Sequence, residues 1–185
     1  LDSSSASTVT ISNVTIRSPG DTGLWATDDF DGSLIMTNST ITDAYYGVYI
    51  ESSSTVSFVD NVVDKSAYAV NIYNTENNAV FVGNALTCKY GCLYYFSSWG
   101  CSSLVESNLV SGMDSYSYDA EELVYVSVDL SQSDYFSLQH NSFGNWETSY
   151  DALHLSVYQY SGNGTVGLSN NRFYNISASH VFCLD

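Results

Sequence analysis

Apolar and polar residues alternate along this chain in short bursts, and the bursts recur. VTIS at 9–12, LIMT at 34–37, VSFV at 56–59, VFVG at 80–83, LVES at 104–107, FSLQ at 136–139 and VGLS at 166–169 each read as a short strand with one face turned inward. An Asn or Asp corner follows each burst, and two or three places later comes an apolar anchor: Ile16, Ile41, Val63, Leu86, Val110, Phe143 and Phe173. The anchors lie 25, 22, 23, 24, 33 and 30 residues apart, a drifting period that marks stacked supersecondary units. Further on, each unit carries a second strand: GLWAT at 23–27, GVYIE at 47–51, AVNIY at 69–73, CLYYF at 92–96, LVYVS at 123–127, ALHLS at 152–156 and HVFCL at 180–184.

One such unit cannot bury its own apolar side, but stacked units can, because each strand pairs in parallel with its equivalent about 4.8 Å above. The pattern therefore predicts an all-β fold, a right-handed parallel β-helix of about seven coils and on the order of 34 Å long. Asn13, Asn38, Asn61, Asn84, Asn108, Asn141 and Asn171 are expected to form a ladder of stacked amides at one corner. Residues 1–185 read as a single β-helix domain. The two long periods are assigned to insertions at 111–122 and 144–151 that should project as loops. LDSSS at 1–5 and CLD at 183–185 both match IESSS at 50–54, and neither looks like a cap. The expectation is a piece of a longer array, or units that associate end to end.

The repeat resembles those of the pectate-lyase and polygalacturonase superfamily and of β-helical surface proteins and adhesins, over essentially the whole chain. That resemblance implies the fold. It leaves activity open, since the family includes lyases, hydrolases, epimerases, tailspikes, adhesins and structural modules. Hydrolases of this kind need two carboxyls at a set separation, and the resemblance implies that lyases need an Arg or Lys base, often with calcium. On the second-strand face Glu51 and Asp129 are the acids found, with no base beside them, and neither catalytic motif can be matched residue by residue.

Charge narrows the partners. Twenty acids against four bases (Arg17, Lys65, Lys89 and Arg172) give a net charge of −16, which disfavours nucleic acid, anionic membranes and polyuronates. No apolar run is long enough to span a membrane. Asp28, Asp29 and Asp31, and Asp119, Glu121 and Glu122, are two acidic groups that could attract a surface calcium ion, but neither has calcium-loop spacing. They read as solvated turns, and no cofactor is expected. His140, His154 and His180 fall in different coils without ligand spacing, so no metal site is expected.

The outward middle positions of the second strands spell Trp25, Tyr49, Asn71, Tyr94, Tyr125, His154 and Phe182, an aromatic file that either stiffens the sheet or forms a contact face for sugar rings or a neighbouring rod. Cys88 and Cys92 flank a short turn and are the favoured disulfide. Cys101 lies at the far end of that sheet, and Cys183 is placed in an inward slot equivalent to Ile50. Sequons occur at Asn13, Asn38, Asn163 and Asn175 and suggest an extracellular chain. Asn163 and then Asn175 are the better acceptors if the ladder faces inward. The expected function is non-enzymatic: an extracellular segment or subunit of a surface fibre or adhesin-like glycoprotein, associating end to end or side by side. The alternatives are a polysaccharide lyase or hydrolase, or a carbohydrate-binding β-helix.

Overall fold

The computed structural model describes residues 7–17, 20–51, 53, 55–75, 78–97, 102–113, 120–130, 134–159 and 164–185. Asn163, Cys101 and Asp119 lie outside these residues. Seven first strands, Thr8–Ser12, Ser33–Thr37, Thr55–Val59, Ala79–Val82, Ser103–Glu106, Tyr135–Gln139 and Thr165–Ser169, form one sheet in simple chain order. All its pairings are parallel. A second, 12-stranded sheet is built from the remaining parts of each coil. It contains the corner strands such as Thr40–Thr42 and Ser142–Glu147, and the second strands such as Tyr46–Ile50, Val124–Leu130 and Leu153–Gln159. In the third and fourth coils corner and second strand run together as Val62–Thr75 and Ala85–Ser97. This is a parallel β-solenoid. Among the described residues no helix is long and apolar enough to cross a membrane.

Parallel register makes the interior a set of columns. Ile11, Met36, Phe58, Phe81, Val105, Leu138 and Leu168 stand one above another, as do Ile41, Val63, Leu86, Val110, Phe143 and Phe173. Val48, Val70, Leu93, Val124 and Leu153 form a third column. Most of these side chains are fully buried. A small residue in one column is matched by a large one opposite. Ser103 leaves space that the buried Tyr95 fills, their hydroxyls 2.8 Å apart. Gly47 is required where the chain turns into the second strand, since a Cβ there would collide with the Val63 side chain and the Ala69 carbonyl.

The corner consists of two adjacent columns rather than one. Asn13, Asn38, Asp60, Gly83, Ser107, His140 and Asn170 all have positive φ, between 48° and 68°. This conformation suits Asn, Asp and Gly best, and the backbone N–H of each of the first six donates to a carbonyl of the next coil. The residue after each forms the inner column: Val14, Ser39, Asn61, Asn84, Asn108, Asn141 and Asn171. There the Oδ1 of Asn84 accepts the Asn61 backbone N–H at 2.9 Å, and Asn108, Asn141 and Asn171 repeat the contact at 2.9, 2.9 and 3.1 Å. The Nδ2 of Asn61, Asn84, Asn108 and Asn141 donates to the next Oδ1 and to a strand carbonyl, and that of Asn171 to the Leu138 carbonyl. The expected ladder is therefore corrected at its first two rungs. Asn13 and Asn38 are exposed left-handed corner residues, and the ladder passes through Ser39, whose Oγ accepts the Val14 N–H at 3.1 Å.

The loop insertion expected at 144–151 is also corrected, whereas residues 114–119 of the one expected at 111–122 lie outside the described residues. Gly144–Glu147 continues the strand Ser142–Glu147, where Trp146 and Glu147 pair with Ile176 and Ser177. Residues 120–122 lie down on the stack. The Glu121 N–H bonds to the Tyr90 carbonyl, and the Glu121 and Ala120 carbonyls accept from Trp146 Nε1 and Thr148 Oγ1.

The two columns differ sharply in what they protect. Asn84→Ala strips a buried N–H and a buried carbonyl of their partners and should cost about 3 kcal/mol or more, at about 1–3 kcal/mol for each group left unpaired. Asn38→Ala alters an exposed left-handed residue and should cost about 1 kcal/mol. Paired chemical denaturation curves check the difference, and equal losses would contradict the two-column corner.

Candidate functional site

The face that the second strands turn outward carries a file of aromatic side chains. Its register runs Trp25, Tyr49, Asn71, Tyr94, Tyr125, His154 and Cys183. The last member is a correction: Phe182 pairs with Leu153, and Cys183 stands beside His154, turned away from the inward slot expected for it. VFCL offers consecutive apolar residues, so the sequence holds no phase information there.

The rings form a path that steps sideways. Asn71 interrupts the file and is buried, with an Oδ1 that has no partner. The path goes round it: Tyr46 to Tyr49 at 5.0 Å, Tyr49 to Tyr73 at 5.6 Å, then Tyr73 stacked on Phe96 at 5.0 Å. It continues from Phe96 to Tyr125 at 5.1 Å and ends with Tyr125 stacked on His154 at 5.0 Å. These separations lie in the range where aromatic pairs attract. Tyr73 and Phe96 were not among the expected face residues. They sit two places beyond Asn71 and Tyr94, on the same face by strand alternation. At one end Trp25 is 52 % exposed and lines a shallow groove of about 250 Å³ with Asp21, Thr22, Tyr46, Tyr49 and Glu51.

Tyr94 differs from the rest of the file. It is 8 % exposed because residues 120–122 cover it. Its hydroxyl donates to Glu121 Oε2 at 2.9 Å, and Tyr68 donates to Glu121 Oε1 at 3.3 Å. Glu121, expected to be part of a solvated acidic turn, is instead a buttress shared by two phenols. Burial, and then the Glu121 carboxylate, push the Tyr94 and Tyr68 hydroxyls well above the usual tyrosine range.

Glu51 and Asp129 are not brought together. They belong to coils three apart, about 14 Å along the axis, whereas paired glycosidase carboxyls stand roughly 5–9.5 Å apart. Glu51 accepts the Asp28 backbone N–H at 3.1 Å. Burial raises the Asp129 carboxyl above its ordinary value. Cys88 and Cys92 are joined by a disulfide with Cα atoms 5.2 Å apart.

Two histidines expected to be separate are brought to one carboxylate by adjacent coils. Asp151 Oδ1 meets His180 Nδ1 at 2.8 Å, and its Oδ2 lies 3.4 Å from His154 Nδ1. His154 Nε2 is 3.0 Å from Asp185 Oδ2 and 3.2 Å from Ser156 Oγ. The hydrogen bond from His180 holds the Asp151 carboxyl below its usual range. Partial burial and the nearby Asp151 and Asp185 raise the Cys183 thiol.

The covered phenols dictate an alkaline weakness. Their folded pKa values exceed the unfolded value of about 10, so both states are protonated below that pH, their stabilisation is fully present there, and they add no pH dependence. As pH rises past about 10 the unfolded chain loses protons that the folded one retains, and stability falls. Denaturation midpoints measured from pH 8 to 11 should drop above about 10, with a shallower drop in Tyr94→Phe. An unchanged slope in that variant would exclude Tyr94 as the source.

Residues 2–86, a little under half of the chain, match the family model described as right handed beta helix region. No curated protein and no solved structure gave a significant match. Sheet order, parallel register and this match agree: the chain is a right-handed parallel β-helix repeat protein.

Proposed function

We propose that this chain is a non-enzymatic extracellular structural protein, a segment or subunit of a surface fibre or adhesin-like glycoprotein, whose aromatic face is its contact surface. The observation that carries this reading is the unbroken path of rings from Tyr46 through Tyr49, Tyr73, Phe96 and Tyr125 to His154, running along the stack, with Trp25 lining a groove at the Tyr46 end. A row of flat, half-exposed rings on a stiff support suits a flat partner such as a sugar chain or a second rod. The extracellular part of the reading rests on the Cys88–Cys92 disulfide, which fits an oxidising compartment, and on sequons at exposed Asn13, Asn38 and Asn175. End-to-end contact is supported by the inner residues Leu168, Phe173 and Phe182, which line an open apolar hollow of about 260 Å³ that another coil, of this or another chain, would cover.

A second reading, a carbohydrate-binding β-helix, is favoured by the groove at Trp25, where an exposed indole stands between Asp21 and Glu51. It predicts a neutral or amine-bearing sugar, since carboxylate rims repel polyuronates. A polysaccharide lyase or hydrolase remains the reading to which no geometry on this face is assigned.

Negative-stain imaging of the purified chain should show rods that associate as concentration rises. Discrete single particles at every concentration would overturn the fibre reading. Retention on immobilised neutral glycans, weakened about three- to tenfold by Trp25→Ala or Tyr49→Ala at about 0.5–1.5 kcal/mol per ring contact, would favour the binding reading.

A further inference from the structure

From the cluster joining the last two coils, we infer that Asp151, His154 and Cys183 form a binding site for a divalent transition-metal ion of the zinc class. One ligand atom from each residue lies within 4.8 Å of the others, and all three residues are half-buried. Ligands bound at about 2.0–2.3 Å to a tetrahedral zinc ion stand roughly 3.3–3.7 Å apart, so closing the triangle needs only side-chain adjustment. The donor set of one thiolate, one imidazole and one carboxylate matches what zinc takes and suits calcium or magnesium poorly.

The hydrogen bonds around the triangle divide the roles. His154 Nδ1 and Asp151 Oδ2 are 3.4 Å apart, long for a hydrogen bond but within the edge length of a zinc tetrahedron. On the other side of the ring, Nε2 is 3.0 Å from Asp185 Oδ2. A proton held there leaves the Nδ1 lone pair on the side of Asp151, the carboxylate–histidine–metal arrangement that fixes a ligand's tautomer. His180 occupies the other oxygen of Asp151 at 2.8 Å, leaving Oδ2 as the ligand. Stacking of the His154 ring on Tyr125 at 5.0 Å limits its rotation. The fourth position is open and takes water.

Such an ion would act as a staple. Asp151 and His154 belong to the sixth coil and Cys183 to the seventh, which is held by the short strand Phe182–Leu184.

The test uses the purified chain freed of metal by a chelator and titrated with Co²⁺ and Zn²⁺. One equivalent of Co²⁺ should give the absorption of a four-coordinate ion, with a thiolate-to-cobalt charge-transfer band that Zn²⁺ displaces. Zinc at about a hundredfold its Kd should raise Tm by about 5 °C or more. Cys183→Ser should abolish the charge-transfer band while Cys101→Ser retains it. Asp185→Asn, which alters the partner of the ligand imidazole and a neighbour of the Cys183 thiol but removes no ligand, should weaken Zn²⁺ binding about 10- to 100-fold while keeping the charge-transfer band. Absence of the charge-transfer band in the unmodified chain overturns the proposal without reference to any variant. So does equal Zn²⁺ affinity in the unmodified chain and Cys183→Ser.

Discussion

Everything in this molecule follows from stacking in parallel register. A residue has its equivalent one coil away, about 4.8 Å along the axis, so a side chain must suit copies of its own kind. An apolar residue meets this condition easily, which is why the inner columns are long runs of Val, Ile, Leu and Phe. A buried polar residue meets it only if it can donate and accept at once. The primary amide does both, and Asn61, Asn84, Asn108, Asn141 and Asn171 form such a series, each satisfied by its neighbours and by strand carbonyls. A hydroxyl can extend the series, as Ser39 does, and at Val14 no side chain remains to continue it.

Repetition also explains where distinctive chemistry appears. A strict repeat produces surfaces, such as the aromatic path, and does not bring unlike groups together. Unlike groups meet where the period breaks. Glu121 reaches Tyr68 and Tyr94 because it belongs to the long fifth coil, beyond the ordinary period. The cluster at Asp151 forms where the spacing between partners changes, from 30 residues at Glu147 and Ser177 to 29 at Leu153 and Phe182. That one-residue change turns Cys183 outward and sets it beside His154.

The same distinction governs how much the amino-acid sequence disclosed. Strand positions, parallel pairing and the inner columns were legible because each is stated about seven times over, so errors in one coil are corrected by the others. The ladder was misplaced at Asn13 and Asn38 because the corner has two adjacent positions that both favour Asn, for different reasons: one tolerates positive φ, the other exchanges amide hydrogen bonds. Spacing held the signal. The apolar anchor lies two residues after Asn61 and Asn84 but three after Asn13 and Asn38. The cover over Tyr94 and the meeting of His154 with His180 were not legible, since each depends on a single departure from the repeat.

Charge obeys the stacking rule as well. Identical acids in register would face one another at about 4.8 Å, a repulsion of about 1 kcal/mol per pair even at the dielectric constant of water. The outward columns of the first sheet avoid it. Thr10, Ile35, Ser57, Val80, Leu104, Ser137 and Gly167 carry no charge, and Ser12, Thr37, Val59, Val82, Glu106, Gln139 and Ser169 include a single acid. Acids such as Asp28, Asp29, Asp31, Asp43, Asp60 and Asp134 stand between strands, off the columns in which identical residues face one another. These columns of the first sheet are thus left nearly neutral while the turns supply much of the net charge of −16. Coils can therefore stack along the first sheet without self-repulsion, and the charge that a strict repeat would have piled into columns is spread over the turns instead.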